Sequence, residues 1–154
     1  QKKYVPEERR RMTRLPAELE EFLKDVKLPF SLSGIQVLNT KVFWIPEGIG
    51  RCQGLRALRF GLYMGELLKK RFEPSQAFAM VLKKEEYGSV IDLSGSDQRV
   101  IRYLKGETIE IEEGERSREN GWQLICVDGY PLGWGKLLRG TLRNKYLSGW
   151  RMNA

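Results

Sequence analysis

The stretch that most limits what this chain can fold into is Asp128–Tyr146, DGYPLGWGKLLRGTLRNKY, with glycine or proline at five positions from Gly129 to Gly140. Between these interruptions the residues alternate: Tyr130, Leu132, Trp134, Lys136 and Leu138 fall on one side, Gly133, Gly135 and Arg139 on the other. Period two is the rhythm of a strand. Glycines along one face let another backbone or a ligand come close. No acidic residue follows Asp128, and Lys136, Arg139, Arg143, Lys145 and Arg151 interleave with Tyr130, Trp134, Tyr146 and Trp150. A sugar-phosphate chain with exposed bases needs such cations, aromatic faces and bare backbone. The same pattern also suits a sheet edge with core aromatics and a solvated basic face.

The rest of the chain supports an anionic partner. Its 154 residues suffice for one real core or two small ones. The formal net charge of +7 and pI near 9.5 favour nucleic acid or an anionic membrane surface. Residues 51–84 carry eight basic residues against two acidic, residues 85–127 five against ten, and residues 128–154 five against one. That pattern reads as one cationic and one anionic side, the cationic side being the candidate for contact. Cys52 and Cys126 lie in no metal-like spacing, which with the lack of a secretory segment predicts two buried free thiols in a cytoplasmic protein. No apolar run reaches the roughly 18–20 residues of a membrane span, so no membrane partner is expected. The chain has no histidine, which removes Ser–His and Cys–His nucleophile pairs and histidine metal sites.

Residues 1–14, rich in arginine and broken by Pro6, read as a flexible basic arm or linker. Pro16 suits the first turn of a helix whose apolar stripe is Leu15, Leu19, Phe22, Leu23 and Val26, ended by Pro29. Ile35–Leu38 and Val42–Ile45 predict a hairpin turning at Asn39-Thr40, and Pro46–Gly50 a loop. Leu55–Leu58 and Leu62–Leu68 predict two strands about Gly61. After Lys69-Lys70-Arg71, a helix opens at Pro74 or Ser75 with Ala77, Phe78, Val81 and Leu82 as its apolar face. Beyond Gly88 come a strand at Val90–Leu93, a helix over about 97–104 burying Val100, Ile101 and Leu104, and a Lys105-Gly106 end. Thr108–Ile111 and Trp122–Val127 read as strands, separated by an acidic segment, Glu112–Asn120, expected to be the least ordered interior stretch. The fold class is α+β, in two small subdomains over 15–87 and 88–154.

Four short motifs now stand in order: Gly61–Leu82 (GLYMGELLKKRFEPSQAFAMVL), Arg102–Glu107 (RYLKGE), Gly129–Lys136 (GYPLGWGK) and Leu142–Arg151 (LRNKYLSGWR). Together they resemble the region after the catalytic domain in bacterial ribosomal RNA (cytosine-5)-methyltransferases of the Nol/Nop/Sun family, over about residues 20–151. Phe60, Gln76 and Leu147 depart from the proline, histidine and proline of that pattern. The resemblance implies that residues 88–154 form a PUA-like domain, a mixed β pseudo-barrel with short helices that binds RNA. In that fold a helix ends in a basic residue and glycine at a loop approaching RNA, a place matched by Lys105-Gly106.

The resemblance further implies a non-catalytic accessory region of an rRNA 5-methylcytosine methyltransferase. Its partners would be RNA, most naturally ribosomal, and an S-adenosylmethionine-dependent methyltransferase domain in cis or trans. Cys52 follows Arg51 and Cys126 follows Ile125, so neither sits in the family's Pro-Cys or Thr-Cys motifs. Gly48-Ile49-Gly50 lacks the βαβ context of a cofactor turn, so no cofactor is expected in this chain and S-adenosylmethionine belongs to the parent enzyme. The RNA-contacting set is Lys69, Lys70, Arg71, Lys105, Gly106, Tyr130, Trp134, Lys136, Arg139, Arg143 and Lys145, with Tyr130 or Trp134 stacking on an unpaired base. A core role for Trp134 fits the sequence equally well. A docking module for a catalytic domain remains the alternative, resting on the apolar stripe near the N-terminus and the acidic segment.

Overall fold

The strand-forming runs assemble into two sheets. The computed structural model describes residues 15–27, 34–45 and 61–153. The arm over 1–14, the Pro46–Gly50 loop, the Leu55–Leu58 strand and Cys52 fall outside the described residues. In space the chain divides into two units: residues 15–24, 34–45 and 61–73 in the first, residues 25–27 and 74–153 in the second.

In the first unit, α1 (Ala17–Leu23) buries Leu19 and Phe22, and the Phe22 ring lies 5.0 Å from that of Phe72. The helix ends earlier than its stripe predicts. Asp25–Lys27 is held by the second unit instead: Val26 bridges Tyr87, the Lys27 amide donates to Glu86 O, and Arg118 grips the Asp25 carboxylate with both terminal nitrogens. The four-stranded sheet runs β1 (Ile35–Leu38), β2 (Lys41–Trp44), β3 (Leu62–Leu68), β4 (Arg71–Pro74). Asn39 takes the left-handed conformation its turn needs. Residues 72–74, expected to lead into the helix, form β4 because Lys69-Lys70 make a tight turn back from β3, with Lys70 at φ 59°.

In the second unit, Ser75 caps α2 (Gln76–Val81), its hydroxyl accepting from the Phe78 amide. The buried face is Gln76, Phe78, Ala79 and Leu82, leaving Ala77 and Val81 outside. The five-stranded sheet has the order β5 (Val90–Leu93), β7 (Asn120–Val127), β8 (Tyr130–Leu138), β9 (Thr141–Asn144), β6 (Ile109–Glu110). Only β5 and β7 pair in parallel; the remaining pairs are antiparallel. The sheet curls into a half-barrel, so the expected α+β class with a PUA-like second part is what the chain forms. Asp97 caps α3 (Gln98–Leu104), which buries Val100 and Tyr103, while Ile101 faces out. The acidic segment, expected to be the least ordered interior stretch, is tethered. Arg99 binds both Asp97 and Glu115, and Arg116 donates to Ile111 O at 2.7 Å.

Candidate nucleic-acid interface

Strand β8 has its two faces set by its neighbours, and a bulge resets the alternation. Ile125 pairs with Gly133 but Cys126 with Pro131, so Leu132 is the extra residue. Pro131, which lacks an N–H for the ladder, sits at this irregularity. Leu132 therefore packs against the core cluster of Ile91, Tyr103, Ile125, Leu137 and Leu142, on the face opposite Trp134. Gly133, Gly135 and Leu137 share that face.

Trp134 is the correction to the expected contact set. It is 0% exposed, lying under Phe78 and Tyr87 at ring distances of 6.0 and 4.9 Å, and its Nε1 donates to Ser75 O at 2.8 Å. An indole sealed by α2 and Tyr87 has no face for a base, so the core role applies. Tyr130 is 74% exposed, but it opens β8 and lies six residues from Lys136, about 20 Å along an extended strand.

Beyond Trp134, the same face carries a row running straight across three strands. Trp122 on β7 pairs with Lys136 on β8, which pairs with Arg143 on β9. The Lys136 ammonium lies 5.5 Å and that of Lys145 6.0 Å from the centroid of the Trp122 ring. Trp122 is half-buried, Arg143 is exposed, and the next row outward includes Leu138 at 61% exposure. Arg139 lies at the tip of the β8–β9 hairpin, left-handed at φ 49° beside Gly140. The structure thus gathers Lys136, Arg143 and Lys145 on one face, with Arg139 at its end. Trp122 was not among the expected contacts. Its signal lay in the parity of β7, which places it with Leu124 and opposite the lysine of β8.

Lys105 and Gly106 follow α3, on the opposite side of the sheet from this row. Asn144, between Arg143 and Lys145, donates to Tyr103 O and Glu107 O at 2.8 and 3.0 Å, tying the turn after α3 to the end of β9. Gly106, at φ 85°, is covered by Arg151: a Cβ there would lie 2.5 Å from Arg151 Cδ. A ligand reaching this turn meets the Arg151 side chain rather than bare backbone. Lys69, Lys70 and Arg71 are exposed at the β3–β4 turn and belong to the first unit, where Arg71 pairs with Glu73 at 3.6 Å.

Charge is partitioned in a way the sequence totals hide. Arg99, Arg102, Arg116 and Arg118 each pair with carboxylates. Lys105, Lys136, Arg139 and Arg143 pair with no carboxylate among the described residues. Cys126 is free and buried, and desolvation pushes its thiol up to about 12, so it is an inert core group. Among the described residues no cluster of three acidic or thiol side chains is arranged for a metal, and no helix is long and apolar enough to cross a membrane.

Residues 90–152 match the family described as methyltransferase RsmF PUA domain, and residues 21–82 match the RsmF rRNA methyltransferase first C-terminal domain. The ribosomal RNA small subunit methyltransferase F of Shewanella loihica is 30% identical over 113 residues. That alignment takes in 72% of this chain but 22% of the relative, so the chain spans about a fifth of that protein.

Proposed function

The chain belongs to the RsmF rRNA methyltransferase family, of which it carries the first C-terminal domain and the PUA domain, and from that premise we propose that it is an RNA-binding region. It holds substrate RNA, ribosomal in origin, for a methyltransferase domain in the same or a partner polypeptide that forms 5-methylcytosine. The observation that carries the reading is the row Trp122–Lys136–Arg143 with Lys145 beside it. Lys136 and Arg143, which pair with no carboxylate among the described residues, are electrostatically available to phosphates. Phosphate contacts fix register and orientation and release counterions on binding.

S-adenosylmethionine is assigned to the methyltransferase domain. The strand–turn–helix from β5 to α3 is the nearest described approach to a cofactor turn, although α3 leads into the antiparallel β6 and not into a parallel strand. Its Gly95 amide donates to Asp128 Oδ1 at 3.0 Å, so a carboxylate already occupies the position. These residues do not fit the cofactor, and no chemical step is assigned to the chain.

The test is binding to ribosomal RNA fragments across a salt series. The logarithm of the affinity should fall linearly with log salt, and Lys136→Gln and Arg143→Gln should each lower the slope by about one. Lys105→Gln, on the opposite side of the sheet, should leave the slope of this face unchanged. No binding at low salt would refute the proposal.

A further inference from the structure

Trp122 is the one aromatic ring placed inside the cationic row, and phosphate contacts alone would make no use of its face. Its sheet neighbour along the same face, Leu124, is 0% exposed in the core, whereas Trp122 is half-buried. Two ammonium groups on flexible stems approach its ring, from β8 and from the residue following β9. Lysine is a strongly hydrated, mobile point charge, so it can leave a ring for a phosphate while the ring remains fixed by its strand. The indole itself is rigid and flat, and any base offers a π-face to it.

We propose that Trp122 is a stacking platform for a base, and that this face therefore takes an unpaired stretch of RNA rather than a duplex. The inference rests on the RNA-binding reading and specifies its substrate. On binding, the base lies against the Trp122 ring while Lys136 moves from the ring to a flanking phosphate, with Arg143 extending the phosphate track across β9. A fully paired duplex presents phosphates to the same cations but no free base face, since its bases are stacked on one another.

The experiment titrates the chain with a mixed-sequence single-stranded RNA and with the perfectly paired duplex of that sequence, at one low salt concentration and then across a salt series. Wild type, Trp122→Ala, Trp122→Phe and Lys136→Gln are compared after circular dichroism confirms that each is folded. The wild type should prefer the single strand. Trp122→Ala should weaken single-strand binding roughly 5- to 100-fold, leaving duplex binding and the salt slope unchanged, while Trp122→Phe keeps most of the affinity. Lys136→Gln should lower the slope instead. Equal loss on both RNAs, no loss in Trp122→Ala, or an equal preference in the wild type would overturn the stacking role while leaving RNA binding intact. A wild type that binds neither RNA overturns the broader reading as well, which separates the two failures.

Discussion

Gly133 and Gly135 show how one residue type answers different demands on a single strand. A Cβ on Gly135 would lie 2.7 Å from Leu142 Cγ, and one on Gly133 would lie 2.6 Å from Tyr103 Oη, the hydroxyl that donates to Trp134 O. The glycines admit the chain's own side chains, not a ligand. Gly135→Ala should therefore cost about 1–3 kcal/mol through overpacking, whereas Leu138→Ala on the exposed end of the strand should stay within about 0.5 kcal/mol. Urea denaturation of the two variants beside wild type checks this. Cys126 makes a prediction of opposite character. Its thiol is raised from 9.0 to about 12, chiefly by desolvation and then by Asp92, so the folded state favours the protonated form. The resulting stability is complete below pH 9.0 and lost as pH rises toward about 12. Tyr87 and Tyr103, also raised by burial, add to the same alkaline limb from their ordinary value of 10.0 upward. Thermal melts from pH 8 to 11 should fall on this limb, and Cys126→Ala should remove its earliest part.

At the scale of elements, the sequence was most legible where turns carry their own chemistry. Asn39-Thr40, Asp128-Gly129 and Arg139-Gly140 each hold a non-glycine residue at positive φ, and the hairpin predicted around the first of these turns is present. Helix faces were less legible because neighbours chose them: α2 buries Gln76 to bond Leu132 O and receive the Leu147 amide, where hydrophobicity pointed to Ala77 and Val81. The bulge at Leu132 could not be read from alternation, and it is what separates Leu132 from Trp134. The acidic segment was misread because charge alone was counted, without the arginines that meet it. Arg99 holds the carboxyls of Asp97 and Glu115 below the usual range, first through direct hydrogen bonds. Lowered carboxylate values stabilise the fold above the ordinary range near pH 4, and that contribution disappears as pH falls through the folded values. Arg99→Gln should flatten the acid limb of a melting-temperature profile between pH 6 and 3. It should also speed hydrogen exchange at the Glu115 and Arg116 amides, which the segment's short 3₁₀ turn protects.

At the scale of the whole molecule, the matched segments and the packed units divide the chain differently, and Trp134 shows why. The two family matches end at residue 82 and begin at residue 90, and Gly88 is where the sequence rhythm changes. Yet the shell around Trp134 comes from Ser75, Phe78 and Tyr87, all before residue 90. Gln76 adds a further tie, donating to Leu132 O at 2.6 Å. A chain starting at residue 90 would keep every strand of the five-stranded sheet but leave the largest side chain of its core facing water. Burial of such an aromatic is worth several kcal/mol, a large share of the roughly 5–15 kcal/mol that holds a domain folded. Residues 74–154 should therefore fold cooperatively, with blue-shifted tryptophan emission. Residues 90–154 should show red-shifted emission and a urea midpoint far lower or absent. Restoring 74–89 should recover both the emission and the RNA affinity of the Trp122 face, because β8 is fixed between α2 on one side and α3 on the other. Equal midpoints for the two fragments would mean that the strands alone hold the sheet, and that the matched PUA segment is a complete folding unit.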